Sequence, residues 1–223
     1  MKPIPVLLAD DHTIVREGFR KMLELEGDFT IVGEAQDGRQ AVTLARKLRP
    51  VIVLMDIAMP LLNGLEATRQ ILKEVPATKV LILSAHSDSA YVQNAIASGA
   101  SGFLLKQTSS HDVCRALREI ANGKTFFSPA IAKHLEHQKT LDRSGNLKTR
   151  AGQLTSREME VLQLIAEGKA NKETASELGI GLKTVEKHRE HLMEKLNIHD
   201  TAGLTRYAIS AGIIESSVQL TIE

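Results

Sequence analysis

The sequence predicts a doubly wound α/β sandwich around a five-stranded parallel sheet, followed by a small all-α helix-turn-helix domain. Three observations carry this reading. Val6 to Ala9, Val51 to Met55, Val80 to Leu83 and Phe103 to Leu105 are short runs that are apolar at consecutive positions, as strands buried on both faces of a parallel sheet must be. They alternate with amphipathic helical patterns, which sets a repeated βα rhythm. Beyond residue 154 every periodic segment is helical.

The first run leads into a helix marked by Val15, Phe19 and Met22-Leu23. Thr30-Ile31-Val32 supplies a further strand, and Ala41, Leu44-Ala45 and Leu48 mark the next helix. The later strands alternate with helices marked by Val92 and Ala95-Ile96, then by Val113, Ala116-Leu117 and Ile120, the last ending at a C-cap signal near Asn122-Gly123. Five strands and five helices joined by right-handed crossovers make a doubly wound first domain over residues 1–127. From residue 128 to 153 the pattern decays. Pro129 to Leu135 suit a short helix, while Asp142 to Asn146 and Lys148 to Gly152 are polar with little to bury, so this stretch is expected to be a partly helical linker. Its bases Arg143, Lys148 and Arg150 suit a solvated tether.

The helical domain, expected over 154–215 with a tail at 216–223, opens on Thr155-Ser156-Arg157-Glu158, a capping-box sequence with Leu154 and Met159 placed as a hydrophobic staple. Asn171 offers an N-cap to a second helix that Gly179 ends at Leu178, and after Ile180-Gly181 a longer helix runs to about Leu196. Two helices joined by a tight glycine-containing turn make a helix-turn-helix.

Composition narrows the functional class. At 223 residues, 43 % hydrophobic and 25 % charged, the chain is long enough for two small cores. The single Cys114 falls in an amphipathic pattern, which suits a packed thiol in a reducing cytosol. The N-terminal apolar run lacks the core of a signal peptide and no stretch is long enough to span a bilayer, so a cytoplasmic protein without a membrane partner is expected. Net charge is +1, but residues 128–153 carry 5 bases against 2 acids while 154–215 carry 8 against 10.

The strand ends carry the chemistry. The four runs finish on Asp10-Asp11, Asp56, Ser84 and Lys106, and parallel strands all present their carboxyl ends at one edge, where ligands of such sheets bind. Asp56 is the candidate nucleophile toward phosphorus, a role open to a carboxylate once its charge and that of the incoming group are neutralised. Asp10 and Asp11 would repel it unless a hard cation intervened, and Mg²⁺, with its preference for oxygen ligands, is the natural cofactor. Lys106 supplies a point charge for phosphoryl oxygens and Ser84 a hydroxyl donor.

These residues carry a resemblance. Asp10-Asp11, Asp56 followed by Met59-Pro60 and Asn63-Gly64, Ser84-Ala85, and Gly99-Ala100 leading into Phe103 and Lys106 make residues 4 to about 126 similar to the receiver domain of a two-component response regulator, a flavodoxin-like fold. The resemblance implies that Asp56 takes a phosphoryl group from a sensor histidine kinase. It also implies that Mg²⁺ is held by Asp11, Asp56 and the backbone carbonyl of Ala58, with Asp10 acting mainly through a metal-bound water. The implied switch moves the Ser84 hydroxyl toward the phosphoryl group as Phe103 turns inward, changing the face formed by the fourth and fifth helices and strands. Gln107 stands where a proline often follows the lysine, so no cis peptide is assumed there. Ala58 cannot hydrogen-bond an attacking water, whereas His86, two residues past Ser84, is placed to do so.

On a helical wheel Lys183, Lys187, His191 and Lys195 form a four-residue-spaced stripe with Val185, Leu192 and Leu196 roughly opposite. Glu186, Glu190 and Glu194 form an adjacent acidic stripe able to pair with Lys183, Lys187 and His191. Leu154 to Glu158, Glu160-Val-Leu, Ala166 to Lys169, Asn171-Lys, Thr184 to His188 and Met193 to Leu196 together resemble the LuxR-type helix-turn-helix over about 154–213. A receiver joined to this module is the architecture of the NarL/FixJ class. The resemblance implies that Lys183, Thr184, Lys187, His188 and His191 lie near phosphates or base edges in the major groove of promoter DNA, with Val185 in the core, and it adds RNA polymerase as a partner. A domain that is net acidic by two charges suggests that one copy binds weakly. A homodimer on paired half-sites is therefore expected, formed through Leu204, Tyr207-Ala208 and Ala211 to Ile214. Gly181 replaces a hydroxyl-bearing cap at little cost.

The reading that results is a phosphorylation-controlled transcription regulator. A DNA binder without phosphoryl control is the alternative. Aspartyl-phosphate hydrolases of the haloacid dehalogenase class need a second Asp two residues after the nucleophile, and Ala58 occupies that place.

Overall fold

The computed structural model describes residues 2–85, 89–127 and 154–214. In the first part β1 (Ile4–Ala9), β2 (Phe29–Ala35), β3 (Ile52–Asp56), β4 (Lys79–Ser84), β5 (Gly102–Leu105) and β6 (Phe126–Phe127) alternate with α1 (Thr13–Glu26), α2 (Gly38–Leu48), α3 (Gly64–Glu74), α4 (Ser89–Ala97) and α5 (Ser110–Ala121). The sheet is parallel throughout, in the order β2-β1-β3-β4-β5-β6. The expected five strands are present and a sixth joins them. β6 is two residues long, below the length at which periodicity is legible, and the Phe126 N–H reaches the Ser101 carbonyl at 3.0 Å to extend the edge.

Consecutive apolar residues serve opposite faces of the strands. Leu7, Ala9, Val53, Met55, Val80, Ile82 and Phe103 pack with α2, α3 and α4. Val6, Leu8, Ile52, Leu54, Leu81, Leu83 and Leu104 pack with α1 and α5. Cys114 belongs to the second layer and is 1 % exposed, and burial pushes its thiol up, as a packed thiol requires. Side chains cap the helices around the site: Asp37 accepts from the Gln40 N–H, Asn63 from Glu66 and Ser109 from Asp112, each cap contributing about 1 kcal/mol.

In the second part α6 (Ser156–Ala166), α7 (Asn171–Leu178), α8 (Leu182–Leu196) and α9 (Thr201–Ser210) enclose one core of Val161, Leu162, Leu164, Ile165, Val185, Leu192, Leu196 and Leu204. The capping box at α6 is formed, with Thr155 Oγ1 accepting from the Glu158 N–H and Glu158 Oε2 from the Thr155 N–H. Asn171 does not cap α7. The cap is Ala170, whose N–H donates to Glu173 Oε2, while Asn171 is the first helical residue and its Oδ1 accepts from Arg189 at 3.1 Å. Gly179 closes α7 at φ 61°, the left-handed conformation that glycine adopts at no steric cost. Among the described residues no peptide bond is cis. The predicted linker, His86 and the predicted tail from 216 onward lie outside the described residues.

The two parts meet along a polar seam. Glu160, Gln163 and Glu167, on one face of α6 and its C-cap, contact α3 and the loop before it. Gln70 Nε2 donates to Glu160 Oε1 at 2.8 Å and the Leu61 N–H donates to Glu167 Oε1 at 3.1 Å. Leu61 also packs against the helical core. Elsewhere on the seam, Arg39 Nη1 donates to the Glu177 carbonyl and Asn94 Nδ2 to the Ala211 carbonyl. Burial raises the Glu167 carboxyl above the usual carboxylate range, against the lowering effect of its bonds from Gln163 and Leu61. A carboxyl raised by folding costs stability once it ionises, so its contribution is best at low pH and is lost as pH climbs through the raised value. Glu167→Gln keeps the acceptor and removes the charge. Its melting temperature should exceed that of the parent at pH 8, with the gap closing toward pH 4; parallel pH profiles would contradict this assignment of the cost.

Candidate functional site

β1, β3, β4 and β5 deliver their last residues to one edge. In register, Ala9 faces Met55, Asp56 faces Leu83 and Ser84 faces Leu105, so Asp10, Asp11, Asp56, Ser84 and Lys106 gather although spread over the chain. Asp10, Asp56 and Ser84 are buried, with Asp56 2 % exposed. The Lys106 ammonium sits between two of the acids, 2.9 Å from Asp10 Oδ2 and 2.9 Å from Asp56 Oδ2. The second oxygen of Asp56 accepts from the N–H of Ile57 at 2.8 Å.

The electrostatics follow from this crowding. Burial, with the negative charges of Asp10 and Asp11 behind it, pushes the Asp56 carboxyl up to about 7 against the opposing pull of Lys106. Burial works to lower the Lys106 ammonium, but Asp56 and Asp10 outweigh it and hold the group above its usual value. Apart from that ammonium, the buried Asp10 Oδ2 and Asp56 Oδ2 have no polar partner among the described residues. One ligand atom each from Asp10, Asp11, His12 and Asp56 lies within 4.8 Å of the others. The three carboxylates of this set are hard oxygen donors, which fit a small divalent cation.

The β1–α1 turn is fixed by groups that sequence reasoning passed over. His12 Nδ1 lies 2.7 Å from Asp11 Oδ1, and the His12 N–H donates to Asp10 Oδ1 at 2.9 Å. Arg16, 5 % exposed, donates from Nη1 to the Asp10 carbonyl at 2.8 Å and pairs with Glu34. The one available signal was an arginine on the inward face of an otherwise amphipathic helix. On the other side the loop after β3 returns tightly: the Gly64 N–H donates to the Ile57 carbonyl at 2.8 Å, and a Cβ on Gly64 would lie 1.8 Å from the Asp56 carbonyl oxygen. Ala58 lies in this loop, partly exposed. Phe103 is fully buried in the layer formed with α2, α3 and α4.

At the other end of the molecule α8 buries Val185, Leu192 and Leu196 completely. Lys183, Thr184 and Lys187 are exposed, and His188 and His191 half-buried. Lys195 departs from the expected cationic stripe: its ammonium turns inward to both carboxylate oxygens of Glu158, at 2.7 and 2.9 Å. That bond and Thr155 hold Glu158 below the usual carboxylate range despite its burial. Among the described residues no ion pair joins Glu186, Glu190 or Glu194 to Lys183, Lys187 or His191, so the expected intrahelical pairing is not formed and the cations face outward unneutralised. Arg189, also unremarked in the sequence, ties α8 to both neighbours through Asn171 Oδ1 and Thr201 Oγ1. The dimer contacts expected of α9 need correction. Leu204 and Ala208, with Ile213 beyond the helix, are buried in this domain's own core, because the apolar face of α9 is spent on α6. Its outward residues are Thr201, Ala202, Arg206 and Ser210.

Comparisons with known proteins agree with both halves of this arrangement. Residues 6–118 match the response regulator receiver domain family and residues 152–208 the luxR family of bacterial regulatory proteins. The chain is 34 % identical over 225 residues to the transcriptional regulatory protein DegU of Brevibacillus brevis, with 95 % of each chain covered. It is 36 % identical over 215 residues to the response regulator VraR of Staphylococcus aureus, covering 95 % of this chain and 99 % of that one. RcsB from Salmonella enterica serovar Typhimurium, solved on the promoter rprA in the presence of phosphomimetic BeF₃⁻, superposes with a TM-score of 0.60 at 25 % identity, covering 92 % of this chain and 98 % of that chain. With a parallel α/β receiver, a helical DNA-binding module and relatives matched almost end to end, the chain belongs to the two-component response regulators of the NarL/FixJ class, DNA-binding transcription regulators rather than metabolic enzymes.

Proposed function

We propose that Asp56 is the residue phosphorylated and that its phosphorylation, on a site completed by Mg²⁺, controls promoter binding by α8. The observation that carries this is the convergence of three carboxylates and one ammonium at a single sheet edge, with Lys106 2.9 Å from the Asp56 oxygen. Bound beside Asp10, Asp11, Asp56 and the carbonyl of Ala58, Mg²⁺ would supply charge neutralisation for an anionic nucleophile and an anionic phosphoryl group. One oxygen of Asp56 attacks the phosphorus carried by a histidine of the sensor kinase. The P–O bond forms as the P–N bond breaks, and the imidazole nitrogen keeps the electron pair. The Lys106 ammonium shifts its contact to the phosphoryl oxygens, and the Ser84 hydroxyl, one strand away, donates to them. Phe103, fully buried, already occupies the inward position that the switch requires.

In this reading residues 1–127 are the receiver, 128–153 the linker, 154–215 the DNA-binding domain and 216–223 a tail. Lys183, Thr184, Lys187, His188 and His191 meet phosphates and base edges, as a homodimer on paired half-sites, with RNA polymerase as the downstream partner. DNA as ligand places the protein in the cytoplasm. Support comes from the exposed cationic start of α8 and from the similarity to RcsB, solved on its promoter.

Incubation with Mg²⁺ and acetyl phosphate should add one hydroxylamine-labile phosphoryl group by intact mass, absent in Asp56→Asn. No adduct here or with a panel of kinases would leave the phosphorylation-independent reading in front. Lys187→Ala should weaken DNA binding about equally across sequences and lower the slope of log affinity against log salt by about 1 per subunit. An unchanged slope would remove Lys187 from the interface.

A further inference from the structure

Gln163 is fully buried in the middle of α6, where a glutamine facing only its own apolar core would leave a polar group stranded. Its amide instead leaves the domain. Oε1 accepts from the Asn63 N–H at 2.7 Å and from Asn63 Nδ2 at 3.0 Å. Nε2 donates to the Met59 carbonyl at 2.9 Å and to Glu167 Oε1 at 2.7 Å. Glu167 in turn accepts from the Leu61 N–H. Main-chain groups of Met59, Leu61 and Asn63 are thus held from one helix of the DNA-binding domain. They belong to the loop that starts at Asp56, whose own oxygen accepts from Ile57 and whose carbonyl packs under Gly64.

We propose that Gln163 is a positioning residue of the phosphorylation site, acting from the other domain: it clamps residues 59–63 in the arrangement in which Lys106 bridges Asp10 and Asp56, so that loading the site and docking α6 oppose each other. The proposal rests on the reading of Asp56 as acceptor. A phosphoryl group brings three oxygens and about two negative charges to a carboxylate that is 2 % exposed, so the adjoining loop must give way. Contacts of 2.7 to 2.9 Å do not survive a shift of about an ångström. Linkage makes the effect mutual: whatever loading does to the clamp, the clamp does to loading. Lys183, Thr184 and Lys187 are exposed in the docked arrangement, so the restraint acts on where the DNA-binding domain is held and leaves the start of α8 uncovered.

The test uses the full-length chain and Gln163→Met, which keeps the volume and removes both polar ends. Hydrogen exchange of residues 57–63 should accelerate in the variant, and the site should bind beryllium fluoride with Mg²⁺ about fivefold more tightly or more. In the parent, Mg²⁺ with beryllium fluoride should raise exchange at the Leu61 and Asn63 amides, an arm that a folding defect in the variant does not touch. A variant whose loop exchanges faster while its affinity for beryllium fluoride stays at the parental value overturns the clamp, as does a parent whose exchange ignores beryllium fluoride. Failure of the parent to take any phosphoryl group from acetyl phosphate overturns the Asp56 reading and the clamp with it, whereas loading by beryllium fluoride whose affinity ignores Gln163 overturns the clamp alone.

Discussion

One ammonium group holds the acidic edge together. Asp10 and Asp56 are buried with their facing oxygens short of donors, and Lys106 lies 2.9 Å from each. Removing one partner of a buried ion pair costs about 3–5 kcal/mol, so the turn after β1, the loop after β3 and the end of β5 are bound to one another through that contact. Burial, with the charges of Asp10 and Asp11 adding to it, still holds the Asp56 carboxyl up at about 7 against that ammonium. An edge in this condition favours any ligand that adds positive charge, and it must rearrange when a dianion is attached. A site for reversible phosphorylation needs both properties.

The arrangement has consequences across the molecule because the loop after β3 is shared. It starts at Asp56 and ends at Asn63, which caps α3 and meets Gln163. Glu160, Gln163 and Glu167 make the domain contact polar and dependent on geometry, and hydrogen bonds tolerate displacement far less than apolar burial does. A seam of this kind suits a contact that is made and broken, since its polar groups find water when the domains part. The apolar core of α6 to α9 is complete without the receiver, apart from the packing of Leu61.

The sheet edge was legible in the sequence because a parallel strand buried on both faces must be continuously apolar, and the residue that ends the run then lands at a known place. That logic found Asp56 and Lys106 without any knowledge of register. It could not find β6, two residues long, nor Arg16, whose main partner is a main-chain carbonyl. Gln163 was invisible for the same reason, since the Asn63 amide lies a hundred positions away. Helical periodicity identified the buried face of α9 but not what buries it, and so Leu204 and Ala208 were assigned to a second copy when α6 already covers them. Lys195 left the cationic stripe because the α6 capping-box glutamate is within its reach. Periodicity reports that a residue has a partner and is silent about which one.

The central claim is that charge added at Asp56 alters what α8 can bind. The most direct measurement is selection of DNA fragments by the full-length protein and by Asp56→Asn, each with and without acetyl phosphate and Mg²⁺. The account predicts that phosphorylation raises binding to a specific subset by about fivefold or more in the parent and has no effect in the variant. Equal selection by parent and variant under both conditions would contradict it.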